Sequence, residues 1–135
     1  MANEEHLKIL KDGASTWNEW RGHNPGIRPS LERASLAGAI LIGADLSEAG
    51  LSSSKLEGAQ LHGAKLIGAT LAAANLADAD LGDVDLRAAT LTDANLRNTN
   101  LSMSDLSMWI LTDQMSRTRI LHFQFLIVAR LPTST

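Results

Sequence analysis

The sequence predicts an all-β solenoid, and three observations carry that reading. From Leu31 to Leu111 a leucine recurs at every fifth position, seventeen in succession. Two residues before each leucine stands a residue that is nearly always small, alanine at eleven of the seventeen positions from Pro29 to Trp109. Two residues after it the chain favours Gly38, Gly43, Gly58, Gly63 and Gly68, then Asp78, Asp83, Asp93, Asn98 and Asp113.

Neither regular structure holds leucines at this spacing on one face. Five residues advance an α-helix by about 500°, which offsets successive leucines by about 140°. In a strand, an odd spacing sends each leucine to the opposite face from the last. The remaining solution turns a corner every five residues and winds the chain into a polygonal coil with the leucines pointing at its axis. The small residue is then a second inward position, kept tiny because leucines already fill the shaft at close-packed density. Glycine, asparagine and aspartate tolerate positive φ, so the third position reads as the corner.

Segments such as ANLAD (Ala74 to Asp78), ADLSE (Ala44 to Glu48), ADLGD (Ala79 to Asp83) and ANLRN (Ala94 to Asn98) carry a recognisable pattern. They resemble the pentapeptide repeat family, whose consensus is A-(D/N)-L-x-x, over roughly residues 29–113. The resemblance implies a right-handed quadrilateral β-helix of about four coils, in which residues twenty apart stack. The chain then divides into residues 1–27, a capping helix and turn; 28–113, the β-helix; and 114–135, an irregular apolar cap or association segment.

A solenoid exposes raw edges at both ends and needs covers. Leu7, Leu10, Ala14, Trp17 and Trp20 fall at steps of three and four, the stripe of an amphipathic helix. Asn3 is the expected N-cap, with Glu4 and Glu5 favourable in the first turn. Gly13 weakens the helix by about 1 kcal/mol against alanine, and Asn24, Pro25 and Gly26 end it. Trp17 and Trp20 are expected to cover the first coil's leucines rather than to stack on a ligand. Members of the family carry a similar lead-in of paired tryptophans before Asn-Pro, which supports this expectation.

At the other end, Trp109 occupies a small-residue position and is expected to lie over the last leucines, beside Met103, Met108 and Ile110. Residues 114–119 break the pattern, with Ser116 where a leucine was due. Ile120 to Leu131 is strongly apolar and returns Leu121, Leu126 and Leu131 to the five-residue phase, but with Arg119 and Gln124 in the small position. This segment reads as a folded-back cap or a self-association surface; as a loose tail it would be an aggregation hazard. By analogy with the family, association would give a homodimer through the C-terminal end.

The net charge is −3, unevenly placed: residues 31–113 hold eleven acids and five bases. Nothing resembles a nucleic-acid-binding patch. The absence of cysteine excludes disulfide and thiolate chemistry and leaves the redox compartment open. MANEEHLKIL lacks the pattern of a signal peptide, and no apolar run reaches the ~18 residues of a membrane span, so a cytoplasmic location is expected.

His6, His23, His62 and His122 are scattered without metal-ligand spacing, no glycine-rich phosphate loop is present, and a filled shaft leaves no cleft. No enzyme activity, cofactor, metal or small-molecule substrate is expected. The function expected instead is a non-enzymatic scaffold presenting a rigid, mildly acidic surface to an unidentified protein partner. The candidate face is Asp78, Asp80, Asp83 and Asp85, with Asp105 stacked above Asp85 and Lys65 below it. Consensus-slot and corner aspartates are ordinary in such a coil, and this is the plainer reading of the same residues. The resemblance implies one alternative, a DNA mimic that binds DNA gyrase or a related topoisomerase. Against it, the chain is short, and Lys55, Lys65, Arg87 and Arg97 interrupt the negative columns.

Overall fold

The five-residue periodicity becomes a continuous winding. The computed structural model describes residues 1–106; Trp109 and the expected C-terminal cap lie outside the described residues. Parallel pairing joins residues twenty apart, from Ser30 with Gly50 to Asp85 with Asp105, so each turn of the coil has four five-residue sides. We name the sides by their paired columns. The Ser30 side holds Ser30, Gly50, Thr70 and Thr90; the Ser35 side holds Ser35, Lys55, Asn75 and Asn95. The Ile40 side holds Ile40, Gln60, Asp80 and Asn100, and the Asp45 side holds Asp45, Lys65, Asp85 and Asp105.

The corners stand where the sequence places them. All fifteen residues two after a leucine, from Arg33 to Met103, have φ between +54° and +72°. Only five of them are glycine. Except at Asp83, each corner closes with a hydrogen bond from the following small residue back to the leucine carbonyl, as in Ala69 N–H to Leu66 C=O at 3.0 Å. A four-residue turn with its third residue left-handed is the type II arrangement.

The expected strands shrink to single residues. Among the described residues each pairing is an isolated bridge at the position before leucine, because a corner every five residues leaves no room for a longer ladder. Hydrogen bonding between coils is nevertheless dense. Taking one unit, Lys65 N–H bonds Ala44 C=O at 3.0 Å, Leu66 N–H bonds Asp85 C=O at 2.8 Å and Gly68 N–H bonds Arg87 C=O at 2.9 Å. With the corner bond of Ala69, four of every five N–H groups find a backbone carbonyl. The fifth, on the residue after leucine, does not.

Sixteen leucines from Leu31 to Leu106 line the shaft, none more than 2 % exposed. The small positions are buried with them, apart from the partly buried Ala39. Two buried hydroxyls in that column bond leucine carbonyls one coil below: Thr99 Oγ1 donates to Leu76 C=O at 2.8 Å, and Ser104 Oγ donates to Leu81 C=O. Ser54 Oγ has no partner among the described residues.

The lead-in departs from expectation. The stripe from Leu7 to Trp20 belongs to two helices, α1 (Glu4–Lys11) and α2 (Ala14–His23), and not to one. The break is at Gly13, whose φ of +118° no helix accommodates and which other residues rarely adopt. Asn3 is the N-cap of α1, its side chain accepting from His6 N–H at 3.0 Å, and α2 stops at His23 before Asn24. Leu10 and Trp17 are fully buried against the shaft, while Leu7 and Trp20 are partly buried around them.

Candidate functional site

The orphan N–H of each unit explains the aspartates and asparagines before leucine. Asp80 Oδ1 accepts from Gly82 N–H at 2.9 Å, and Asp85 Oδ1 accepts from Arg87 N–H at 3.2 Å. Asp45, Asn75, Asn95 and Asn100 do the same for the residue two positions on, at 3.0–3.1 Å. A side-chain oxygen thus replaces the missing carbonyl in a local Asx turn. Amide and carboxylate serve equally, so the requirement is an acceptor and not a charge.

This divides the sequence-predicted acidic residues into two kinds. Asp80 and Asp85 hold backbone, and Asp80 Oδ1 also accepts from Asn100 Nδ2 at 3.1 Å. Asp78 and Asp83 are exposed corners at φ +61° and +54°. The four do not share one face: Asp78 and Asp83 flank the Ile40 side that carries Asp80, and Asp85 stands on the next side. They form a band part-way around one coil. Asp83, Asp85 and Asp105 do converge, lining a surface depression of about 320 Å³ with Val84 and Met103.

Along the axis, the charge is mixed. The Asp45 column reads Asp45, Lys65, Asp85, Asp105. Asp85 is further paired with Arg87, whose Nε and Nη2 reach its two oxygens at 2.9 and 2.7 Å. The Arg87 hydrogen bonds hold the Asp85 carboxyl below its ordinary range against a smaller opposing effect of burial. Partial burial would raise the Asp45 carboxyl, but hydrogen bonding from Ser47 and the charges of Arg21 and Lys65 outweigh it and leave it lowered.

The capping residues form the second functional group. The first coil has no coil beneath it, so its downward carbonyls and N–H groups need other partners. Trp17 Nε1–H donates to Asp45 C=O at 2.7 Å, and Arg21 Nη2 donates to Ser47 C=O at 2.8 Å. Asn18 accepts from Asp45 N–H at 2.8 Å and donates to Gly43 C=O at 3.0 Å. Under the Ser30 side, Asn3 N–H bonds Ser30 C=O at 2.9 Å, and His6 Nδ1 accepts from Ser30 N–H at 3.1 Å. Trp20 is wedged between Trp17 and His6, with ring centroids 5.0 and 4.9 Å away. Sequence reasoning found the apolar half of this cover and missed Asn3, His6, Asn18 and Arg21 as edge partners. Among the described residues no group of side chains could hold a metal ion, and no helix is long and apolar enough to cross a membrane.

A family model described as pentapeptide repeats matches residues 30–68 and 64–102 in eight copies. The chain belongs to the pentapeptide repeat family. Among pentapeptide repeat proteins of known structure, one from Nostoc PCC 7120 is 32 % identical, with a TM-score of 0.64 over 87 % of this chain and 93 % of that one. A protein of the Arabidopsis thaliana thylakoid lumen is 34 % identical, with a TM-score of 0.56 over 57 % of this chain and 53 % of its own. One from the cyanobacterium Cyanothece is 30 % identical, with a TM-score of 0.52 over 68 % and 54 %. The chain thus spans about half the length of the Arabidopsis and Cyanothece proteins. No curated protein matches it.

Proposed function

We propose that this pentapeptide repeat protein is a non-enzymatic scaffold, a right-handed four-sided β-helix whose outer surface is recognised by a protein partner. The observation that carries this reading is the division of labour within each unit. Leucine and the small residue fill the shaft, the consensus Asp or Asn closes a local turn, and only the remaining outward positions vary freely in chemistry. A rigid wall with variable decoration suits recognition of a macromolecule.

Within the acidic band, Asp78 and Asp83 are the residues available to a partner, because neither holds a backbone turn in the way Asp80 and Asp85 do. The DNA-mimic alternative gains nothing from these columns: a run of phosphate-like charge along the axis is interrupted at Lys65 and offset at Arg87.

The test is recovery of a defined partner on the immobilised full chain, compared with a D78K/D83K variant. Recovery by the wild type and at least partial loss by the variant is expected. Equal recovery by both removes the acidic band from the interface while leaving the scaffold reading in place.

A further inference from the structure

The cover described above closes only part of the first coil's rim. In each unit the N–H and C=O of the residue before leucine, and the C=O of the residue after it, point toward the preceding coil; Lys65 N–H, Lys65 C=O and Ile67 C=O show the pattern. On the Asp45 side all three groups are taken by α2. On the Ser30 side Asn3 and His6 take the N–H and C=O of Ser30 but leave Glu32 C=O without a partner among the described residues. On the Ser35 and Ile40 sides the corresponding groups of Ser35, Ala37, Ile40 and Ile42 bond nothing in the described residues. Beside them stand two outward isoleucines, Ile40 at 65 % and Ile42 at 50 % exposure.

We propose that the Ile40 side of this open rim, Ile40 to Ile42, is a docking edge for a short extended peptide segment with apolar side chains at alternate positions. The corner at Gly38 turns the Ser35 side away from the same strand. The proposal rests on the scaffold reading and specifies the partner's chemistry. An edge of unpaired N–H and C=O groups recruits a strand by main-chain hydrogen bonds, with side-chain contacts adding selectivity. Ile40 supplies one donor and one acceptor and Ile42 a second acceptor. The strand's outward side chains would lie beside both isoleucines, where β-branched and aliphatic groups pack best.

The rim continues an interface the molecule already uses. Asn18 holds Gly43 C=O and Asp45 N–H immediately past Ile42, so a docked strand extends the cover where α2 leaves off. A second copy of the chain fits less well. Leu10 and Trp17 already close the shaft at this end, and the copy would bring its own α1 and α2 into the same space. A single strand needs only the rim.

The test is a titration of isotope-labelled full chain with an acetylated and amidated heptapeptide of alternating valine and threonine, read by amide chemical shifts. Saturable shifts confined to residues 39–43 are expected, weakened about tenfold or more in I40K/I42K, whose other amide signals stay in place. The same peptide N-methylated on its edge-facing amides should not bind.

In the titration, three results would overturn the proposal: no shifts in this stretch at about 1 mM peptide, equal binding by the variant, or equal binding of the methylated peptide. Concentration-dependent dimers abolished by I40K/I42K would also overturn it, placing a second copy on the rim. A partner held equally well by wild type and I40K/I42K sinks the docking edge alone; no partner on either counts against the scaffold reading.

Discussion

The indole N–H of Trp17 donates to the backbone carbonyl of Asp45 across 28 residues of sequence, at 2.7 Å. The same side chain is fully buried over the first coil, so one residue both fills the mouth of the shaft and satisfies its rim. Trp17→Phe keeps most of the apolar cover and leaves that carbonyl unpaired. A loss of about 1–3 kcal/mol is expected, measured by denaturant unfolding. A loss below about 0.5 kcal/mol would show that the hydrogen bond is dispensable.

Three substitutions in one unit test the inward and outward assignment. Leu66→Ala should cost about 2–5 kcal/mol through the cavity it leaves, and Ala64→Phe about 1–3 kcal/mol or more by overpacking the shaft. Lys65→Ser, on the exposed position between them, should shift stability by about 0.5 kcal/mol or less. Similar unfolding midpoints for all three would contradict the shaft.

Asp80 tests whether the consensus acid is needed for its charge. Asp80→Asn keeps an oxygen for Gly82 N–H, as Asn75, Asn95 and Asn100 keep one at the same slot of their units, and is expected to be near neutral. Asp80→Ala should cost about 1 kcal/mol. Thermal melts of the two variants separate acceptor from charge.

Corners without glycine carry backbone strain. Ala88 sits at φ +59°, where an L side chain costs about 1–2 kcal/mol. Glycine removes that cost but has more backbone freedom to lose on folding. Ala88→Gly should therefore stabilise by about 0.5 kcal/mol. Destabilisation in the same melt would mean that the Ala88 methyl makes a contact outweighing the strain.

Acid should loosen the coil through Asp45 and Asp85. Both carboxyls are lowered in the folded chain, so their contribution is complete above the ordinary aspartate value of about 3.9 and fades as pH falls through the folded values. Stability measured from pH 7 down to about pH 2 should decline mainly below about pH 4. Asp85→Asn should flatten part of that decline while costing no more than about 1 kcal/mol at neutral pH, because its Arg87 pair is solvent-exposed.

The repeat was readable because it is local: leucine, small residue and corner lie within five consecutive positions, and steric rules alone assign them. The twofold break of the lead-in was not, since Leu7, Leu10, Ala14, Trp17 and Trp20 keep helical spacing straight through Gly13. Nor were the rim partners, because Asn18 and Arg21 meet carbonyls 25 and 26 residues away. For the acidic residues, one signal was available. Asn75, Asn95 and Asn100 alternate with Asp45, Asp80 and Asp85 at the same slot, and such interchange marks an oxygen acceptor rather than a charge. What sequence spacing could not separate was which aspartates remain free for a partner; that required knowing which N–H the turn leaves over.

The twenty-residue pairing interval also governs how such a chain tolerates insertion and deletion. Removing or adding one block of five leaves the wall intact, yet carries every later outward side chain a quarter-turn around the axis. A whole-coil change restores the original alignment and alters only the height of the tower. Lengths that are not multiples of five bring a residue of another slot to the position where a leucine should stand, so modular growth in fives, and rotation of surface patches with it, is the editing this architecture permits.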